Sequence, residues 1–310
     1  MNNSRDRDEE FERELPGKGA ETPARHEDYP PPKDKPEWLK VSFSSTEKRS
    51  RLDNSLEKQQ LATVCEEASC PNKFECWGEG TATFMILGST CTRGCGFCDV
   101  DAAGSGEHRK DEPERVARAV AEMELDYVVI TSVTRDDLPD GGGEHWRRTV
   151  QMVREYNPGV RVEVLVPDFR GSAGGLEKIL SAKPEVFGHN IETVPRLYEK
   201  LRPGAHYRHS LAVLRRAARA NLTVKSGLML GMGEREDELK NVLTDLKEAG
   251  VESLTLGQYL RPSRRHWPVE RWLKPEEFDR LAHFARGLGF EGVKAGPFVR
   301  SSYGAKKQFM

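Results

Sequence analysis

Residues 64–98 read VCEEASCPNKFECWGEGTATFMILGSTCTRGCGFC, and they hold all 6 cysteines of the 310-residue chain. The thiols form two unequal triplets, Cys65, Cys70, Cys76 and Cys91, Cys95, Cys98, on either side of a strand-like run over 81–87. Each triplet is one ligand short of four, and an iron-sulfur cluster with an incomplete protein shell keeps an iron open for chemistry. Disulfides suit small secreted chains, but no cysteine follows Cys98 and nothing resembles an export signal. Structural zinc takes four ligands in CxxC-like pairs, whereas these spacings are CxxxxCxxxxxC and CxxxCxxC. The crowding points to iron-sulfur ligation.

Outward from this stretch, apolar runs alternate with segments of helical period. Strands are expected over 81–87, 127–133, 161–166, 186–191, 223–230 and 253–260. Helices are expected over 112–123, 143–155, 195–201, 209–220 and 236–249, and LEKQQLATVCEEASC, residues 56–70, reads as a helix leading into the first triplet. Six βα steps imply a parallel sheet. An open doubly wound sheet and a partial barrel share that spacing, and a cysteine loop directly after the first strand favours the barrel, whose chemistry sits on such loops. The expected fold is α/β, a partial (β/α)6 TIM-type barrel with N-terminal and C-terminal extensions. Its parts are a flexible polar arm over 1–36, an extension with the first cysteines over 37–80, the barrel over 81–290 and a C-terminal segment over 291–310.

Composition narrows the function classes. The 48 basic and 50 acidic side chains give a net charge of -2, so nothing global favours nucleic acid, whose phosphates reward positive excess. No apolar run is long enough to span a membrane. The N-terminus, MNNSRDRDEEFEREL, is too acidic for a transit peptide and lacks the apolar stretch of a secretory signal. Six free cysteines without an address fit a reducing cytoplasm, the expected location.

In CTRGCGFC, residues 91–98, three thiolates on a short glycine-containing loop can wrap around a cubane. Such a loop after a first barrel strand resembles the radical S-adenosylmethionine superfamily. The resemblance implies that Cys91, Cys95 and Cys98 hold a 4Fe-4S cluster whose free iron chelates S-adenosyl-L-methionine, with Phe97 against the adenine end. Further stretches, YVVITSVTRDDLPDGGGEH, VEVLVPDFRG, HNIETVPRLY, RPGAHYRHSL, KSGLMLGMGE, LTLGQYLRPS and GPFVRSSYGA, together with residues 64–98 resemble the lipoyl synthase family over about residues 36–307. What this implies is a second, auxiliary 4Fe-4S cluster on Cys65, Cys70 and Cys76, with a serine of RSSY, placed at Ser302 in preference to Ser301, as fourth ligand. It also implies radical insertion of two sulfur atoms at C6 and C8 of a protein-bound octanoyl-lysine. The implied partners are an octanoylated carrier domain (a 2-oxoacid dehydrogenase E2 or the glycine cleavage H protein), an electron donor such as ferredoxin or flavodoxin, and an iron-sulfur carrier protein.

Other stretches carry weaker signals. GLMLGMGE, residues 227–234, places Met229 where the superfamily has an apolar wall beside adenine, although a buried strand ending in a glycine turn reads the same way. In HNIET, Asn190 and Glu192 alternate onto one strand face suited to a ribose, and His189 faces the other way as a packed histidine. Gly142, Gly143 and Glu144 spell the superfamily's GGE, but the family's glycine pair falls at Gly141 and Gly142, so Glu144 is not expected to bind. Asp136, Asp137 and Asp140 suit turn and helix caps. Arg300 belongs near the auxiliary cluster by its motif alone. LRPSRRHW brings Arg261, Arg264, Arg265 and His266 to the catalytic mouth as a docking face for an acidic carrier domain.

Two other readings compete. A methylthiotransferase acting on tRNA or a ribosomal protein would also insert sulfur by radical chemistry, but carries separate flanking domains for which this chain has no room. An electron-carrying scaffold explains cysteines and not a six-step barrel; it would yield no 5′-deoxyadenosine.

Overall fold

Each apolar run that reads as a strand pairs in parallel with the next. The structure, a computed structural model, describes residues 34–39, 55–78, 83–102, 104, 106 and 108–308; residues 1–33 of the expected arm lie outside them. The strands are β1 Ala62–Thr63, β2 Thr83–Ile86, β3 Tyr127–Ser132, β4 Arg161–Leu165, β5 Val186–Gly188, β6 Thr223–Leu230, β7 Ser253–Gln258 and β8 Gly292–Gly296. They form one sheet in sequence order, with β1 antiparallel to β2 and every later pair parallel. Its ends, β1 and β8, are not paired to each other among the described residues, so the barrel is partial.

Helices occupy the crossovers: α1 Val64–Glu67, α2 Lys73–Gly78, α3 Glu112–Glu122, α4 Gly143–Tyr156, α5 Ala173–Ser181, α6 Pro195–Leu201, α7 Tyr207–Arg219, α8 Glu236–Glu248, α9 Pro275–Gly287 and α10 Ala305–Gln308. Much of the sheet is apolar, as both faces of a parallel sheet demand, and TFMI of β2 is wholly buried; the charged Glu163 of β4 and Lys225 of β6 are buried as a pair at 2.9 Å. The outer helices bury one stripe each. In α7, Leu211, Val213, Leu214 and Ala217 turn inward while Arg219 stays in solvent. No helix of the described residues is long and apolar enough to cross a membrane.

Three details depart from the sequence reading. A seventh parallel strand, β8, follows the expected six, because GVKAG is too short and glycine-rich to announce itself, yet pairs with β7 along its whole length. The expected helix over 56–70 is broken. Residues 55–59 are helical, Leu61 N closes that turn on Leu56 O, Gln60 takes a left-handed φ of 48°, and Ala62 and Thr63 then pair with β2. The β-branched Thr63 fits a strand better than a helix. The strand expected over 186–191 ends at Gly188, since Glu192 sits at φ 66° and the chain peels away toward β6.

After β8 the chain returns under its own strands. Gly257 of β7 is required for this: a Cβ there would stand 2.0 Å from the Val299 carbonyl oxygen. Ala305 of α10, fully buried, packs on Tyr127 and Val129 of β3, and Lys306 pairs with Asp126 at 2.6 Å.

Candidate active site

The loop after β2 is closed on itself and tied to three other segments. Cys91 N donates to Asp101 O (2.7 Å), Thr92 N to Thr134 O (3.0 Å), Gly96 N to Leu201 O (2.9 Å), and Trp267 N to Gly96 O (2.7 Å). Arg93, between the first two cysteines of the loop, bridges two carboxylates: Nε lies 2.7 Å from Asp136 and Nη1 2.8 Å from Asp168. Burial pushes the Asp168 carboxyl up, but Arg93 more than offsets this and holds it far below the usual range. Asp136 is therefore an anchor for the cysteine loop and not a turn cap. Asp140 does cap, accepting from Gly142 N and Glu144 N at the start of α4. Glu144 is exposed and pairs with Arg147.

One cavity of about 460 Å³ opens at the carboxyl ends of the strands, where a barrel places its chemistry. Cys65, Cys70, Cys76 and Cys98 line it, as do Phe97, Asn190, Glu192 and Met229. Arg300, Ser301 and Ser302 line it from the C-terminal segment. Asn190 and Glu192 reach it from the loop beyond β5, not from the strand face that their alternation suggested. Gly227 makes room there, because a Cβ would meet Thr255 Oγ1 at 2.4 Å and Asn190 Oδ1 at 3.0 Å. His189 turns away, buried, its Nδ1 2.8 Å from Val166 O.

His266 corrects the expected docking face. It is 2% exposed, and its Nε2 lies 3.0 Å from Cys98 O, so it braces the cysteine loop from β7's side. Arg261 is likewise turned inward, its Nε donating to His266 O (2.9 Å); of the four basic residues expected there, Arg264 and Arg265 are the exposed ones.

Residues 85–246 match the family model described as the radical SAM superfamily. A lipoyl synthase of Mycobacterium tuberculosis strain H37Rv is 50% identical over 275 residues, 89% of this chain and 88% of that one. A second lipoyl synthase, from Mycobacterium sp. strain KMS, is 50% identical over 89% of this chain and 85% of its own. The chain belongs to the lipoyl synthase family. Among solved structures, Streptococcus suis SuiB bound to precursor peptide SuiA superposes with a TM-score of 0.56 at 10% identity, over 80% of this chain and 52% of that one. The FeFe-hydrogenase maturase HydG from Carboxydothermus hydrogenoformans gives 0.54 at 15% identity, over 80% of this chain and 65% of that one. This chain spans about half the length of SuiB, and these likenesses show a shared fold.

As a radical SAM lipoyl synthase, the chain uses S-adenosylmethionine and a 4Fe-4S cluster, and its residues suit both. Among the described residues no three His, Cys, Asp or Glu are placed to hold a single metal ion. A cubane puts each thiolate on its own iron, so its ligands stand further apart than those of one ion. Arg93 N and Thr134 N each donate to Cys91 Sγ at 3.4 Å, the kind of bond that stabilises a cluster thiolate. Burial pushes Cys98 up to about 12, with Cys95 adding to it, and Cys95 up to about 11, where Arg202 pulls back and Cys91 adds. Such thiols ionise when cationic iron binds. Asn190 Oδ1 is buried with no partner, an acceptor waiting for a donor such as a ribose hydroxyl. Asp168, Arg202 and His209 were missed by the sequence reading, because a buried charge network has no local spacing to betray it.

Proposed function

We propose that this chain inserts two sulfur atoms, at C6 and C8, into an octanoyl chain carried on a lysine of a partner protein. The observation that carries the reading is the shared cavity: Cys65, Cys70 and Cys76 of the first triplet, Cys98 of the second, the RSSY serines and the Asn190, Glu192 and Met229 wall face one space. The two target carbons have no acidity for a base to exploit, so hydrogen must leave as an atom. Bound S-adenosylmethionine and its cluster supply the 5′-deoxyadenosyl radical for that step.

The chain's own residues do the rest. Cys91, Cys95 and Cys98 hold the reducing cluster, Phe97 and Met229 wall the adenine, and Asn190 and Glu192 engage the ribose. Cys65, Cys70 and Cys76 hold an auxiliary 4Fe-4S cluster that is the sulfur substrate, and Ser302 closes its fourth corner. A serine oxygen is a harder, poorer ligand for iron than thiolate, so that corner is the one to open as sulfur leaves. Arg300, whose charge couples to Cys70 and Glu192, sits between the two halves of the site. In this reading the chain divides into the extension over 37–80, the barrel over 81–290 and the C-terminal segment over 291–310. Its partners are an octanoylated E2 or H protein, a ferredoxin or flavodoxin, and an iron-sulfur carrier that rebuilds the auxiliary cluster.

Anaerobic incubation with reductant, S-adenosylmethionine and an octanoyl-lysine peptide deuterated at C6 and C8 tests this. Mass spectrometry should show a gain of two sulfurs with deuterium lost from both carbons; a methylthio product or no sulfur would overturn it.

A further inference from the structure

We propose that Arg264 and Arg265 form a cationic landing surface for the carrier protein, meeting carboxylates that flank its modified lysine; this rests on the octanoyl-lysine reading above. Leu260, Arg261 and Pro262 line the cavity, and the residues that follow, Ser263, Arg264 and Arg265, are exposed at its rim.

The turn that carries them is rigidly held. His266 Nε2 contacts Cys98 O at 3.0 Å, Trp267 N donates to Gly96 O at 2.7 Å, and Tyr259 OH donates to Trp267 O at 2.8 Å. Arg261 Nη2 donates to Arg264 O at 2.5 Å, and Trp267 Nε1 to Met232 O at 2.9 Å. A partner seated on this turn is thereby positioned relative to the Cys91–Cys98 loop, with no mobile linker between the docking contact and the chemistry.

The charge at the rim is unspent. Arg93, Arg135 and Arg202 direct their guanidinium groups inward, to Asp136 and Asp168, to Asp137, and to the Asn190 and Ile191 carbonyls. Arg264 and Arg265 have no carboxylate partner among the described residues. Lys35, exposed and lining the same cavity, adds a third cation. The lining carboxylates do not neutralise them: Glu192 lies deep, and Asp99 accepts from Ser69 at 2.5 Å and faces His266 at 3.7 Å. An alkyl chain has no use for such cations. An alkyl chain on the lysine arm of a folded protein brings a surface that must press on this rim, and an acidic one is steered to it and discriminated by it.

The test compares the reconstituted full chain with the doubly substituted Arg264→Glu/Arg265→Glu and Arg264→Gln/Arg265→Gln proteins. Substrates are octanoylated H protein and an octanoyl-lysine tripeptide, and fluorescence anisotropy of labelled H protein gives binding directly. For the Glu variant, KM for H protein should rise about tenfold, binding should weaken to match, and tripeptide kinetics should stay within about twofold of wild type. The Gln variant should fall between, and added salt should weaken wild-type binding more than either variant's. Unchanged H-protein binding, or an equal loss on protein and peptide, would overturn the proposal. If the wild type made no lipoyl product from either substrate, the functional reading would fail, while anisotropy would still decide the docking.

Discussion

Asn72 Nδ2 donates a 2.6 Å hydrogen bond to the carbonyl oxygen of Phe298, joining the first cysteine triplet to a segment 226 residues later. Tyr303 OH makes a parallel tie to Glu75 at 2.7 Å. These two bonds hold RSSY beside Cys70 and Cys76. Asn72→Ala leaves a half-buried carbonyl without this donor, a loss of about 1 kcal/mol concentrated at this seam. The variant should keep cleavage of S-adenosylmethionine while retaining less auxiliary iron, read by iron analysis after gel filtration.

Two four-iron clusters predict about eight irons per reconstituted chain. Replacing Cys91, Cys95 and Cys98 with alanine should halve the iron and abolish cofactor cleavage. Replacing Cys65, Cys70 and Cys76 should also halve it, yet leave 5′-deoxyadenosine formation. Simultaneous loss of all iron from both variants would sink the two-cluster assignment.

Ser302→Ala should retain cofactor cleavage and fail at sulfur insertion. Ser302→Cys should bind the auxiliary cluster more firmly and slow turnover, since thiolate is the softer ligand. Ser301 also lines the cavity, so Ser301→Ala is the control; if it, and not Ser302→Ala, abolished insertion, the ligand would be Ser301.

Arg93 is a positioning residue for the cysteine loop. Arg93→Lys keeps the charge but cannot span Asp136 and Asp168 together, because an ammonium lacks the guanidinium fork. The loaded variant should show a shifted reduction potential and a broadened electron paramagnetic resonance signal, whereas a merely structural role would lower Tm and leave the spectrum alone. Arg93→Ala, which strands a buried carboxylate, should cost roughly 3–5 kcal/mol.

His189 should make the fold acid-sensitive. Burial lowers its pKa to about 4, so between that value and the ordinary 6.5 the unfolded chain binds a proton that the folded chain refuses. Stability is complete above about pH 6.5 and falls toward pH 4, by on the order of 3 kcal/mol. His189→Asn preserves a donor toward Val166 O and removes the titration, so its Tm should drop less between pH 7 and 5 than the wild type's. Parallel declines would exclude this group.

The six expected strands were legible because a parallel sheet buried on both faces needs unbroken β-branched and apolar runs, as in YVVITS of β3. The cysteine triplets were legible because ligand type and spacing are local properties. β8 was not, since GVKAG has no pattern of its own and is a strand only through its register with β7. Nor was the role of His266: a charge run looks solvated in sequence, and only the return of β7's loop onto Cys98 O buries it. Sequence by itself thus determined the class of fold and the candidate ligands, which depend on composition over short windows. Tertiary structure alone decided which distant groups share a cavity, because meetings such as Asn72 with Phe298 depend on chain closure over hundreds of residues, and no local preference encodes that.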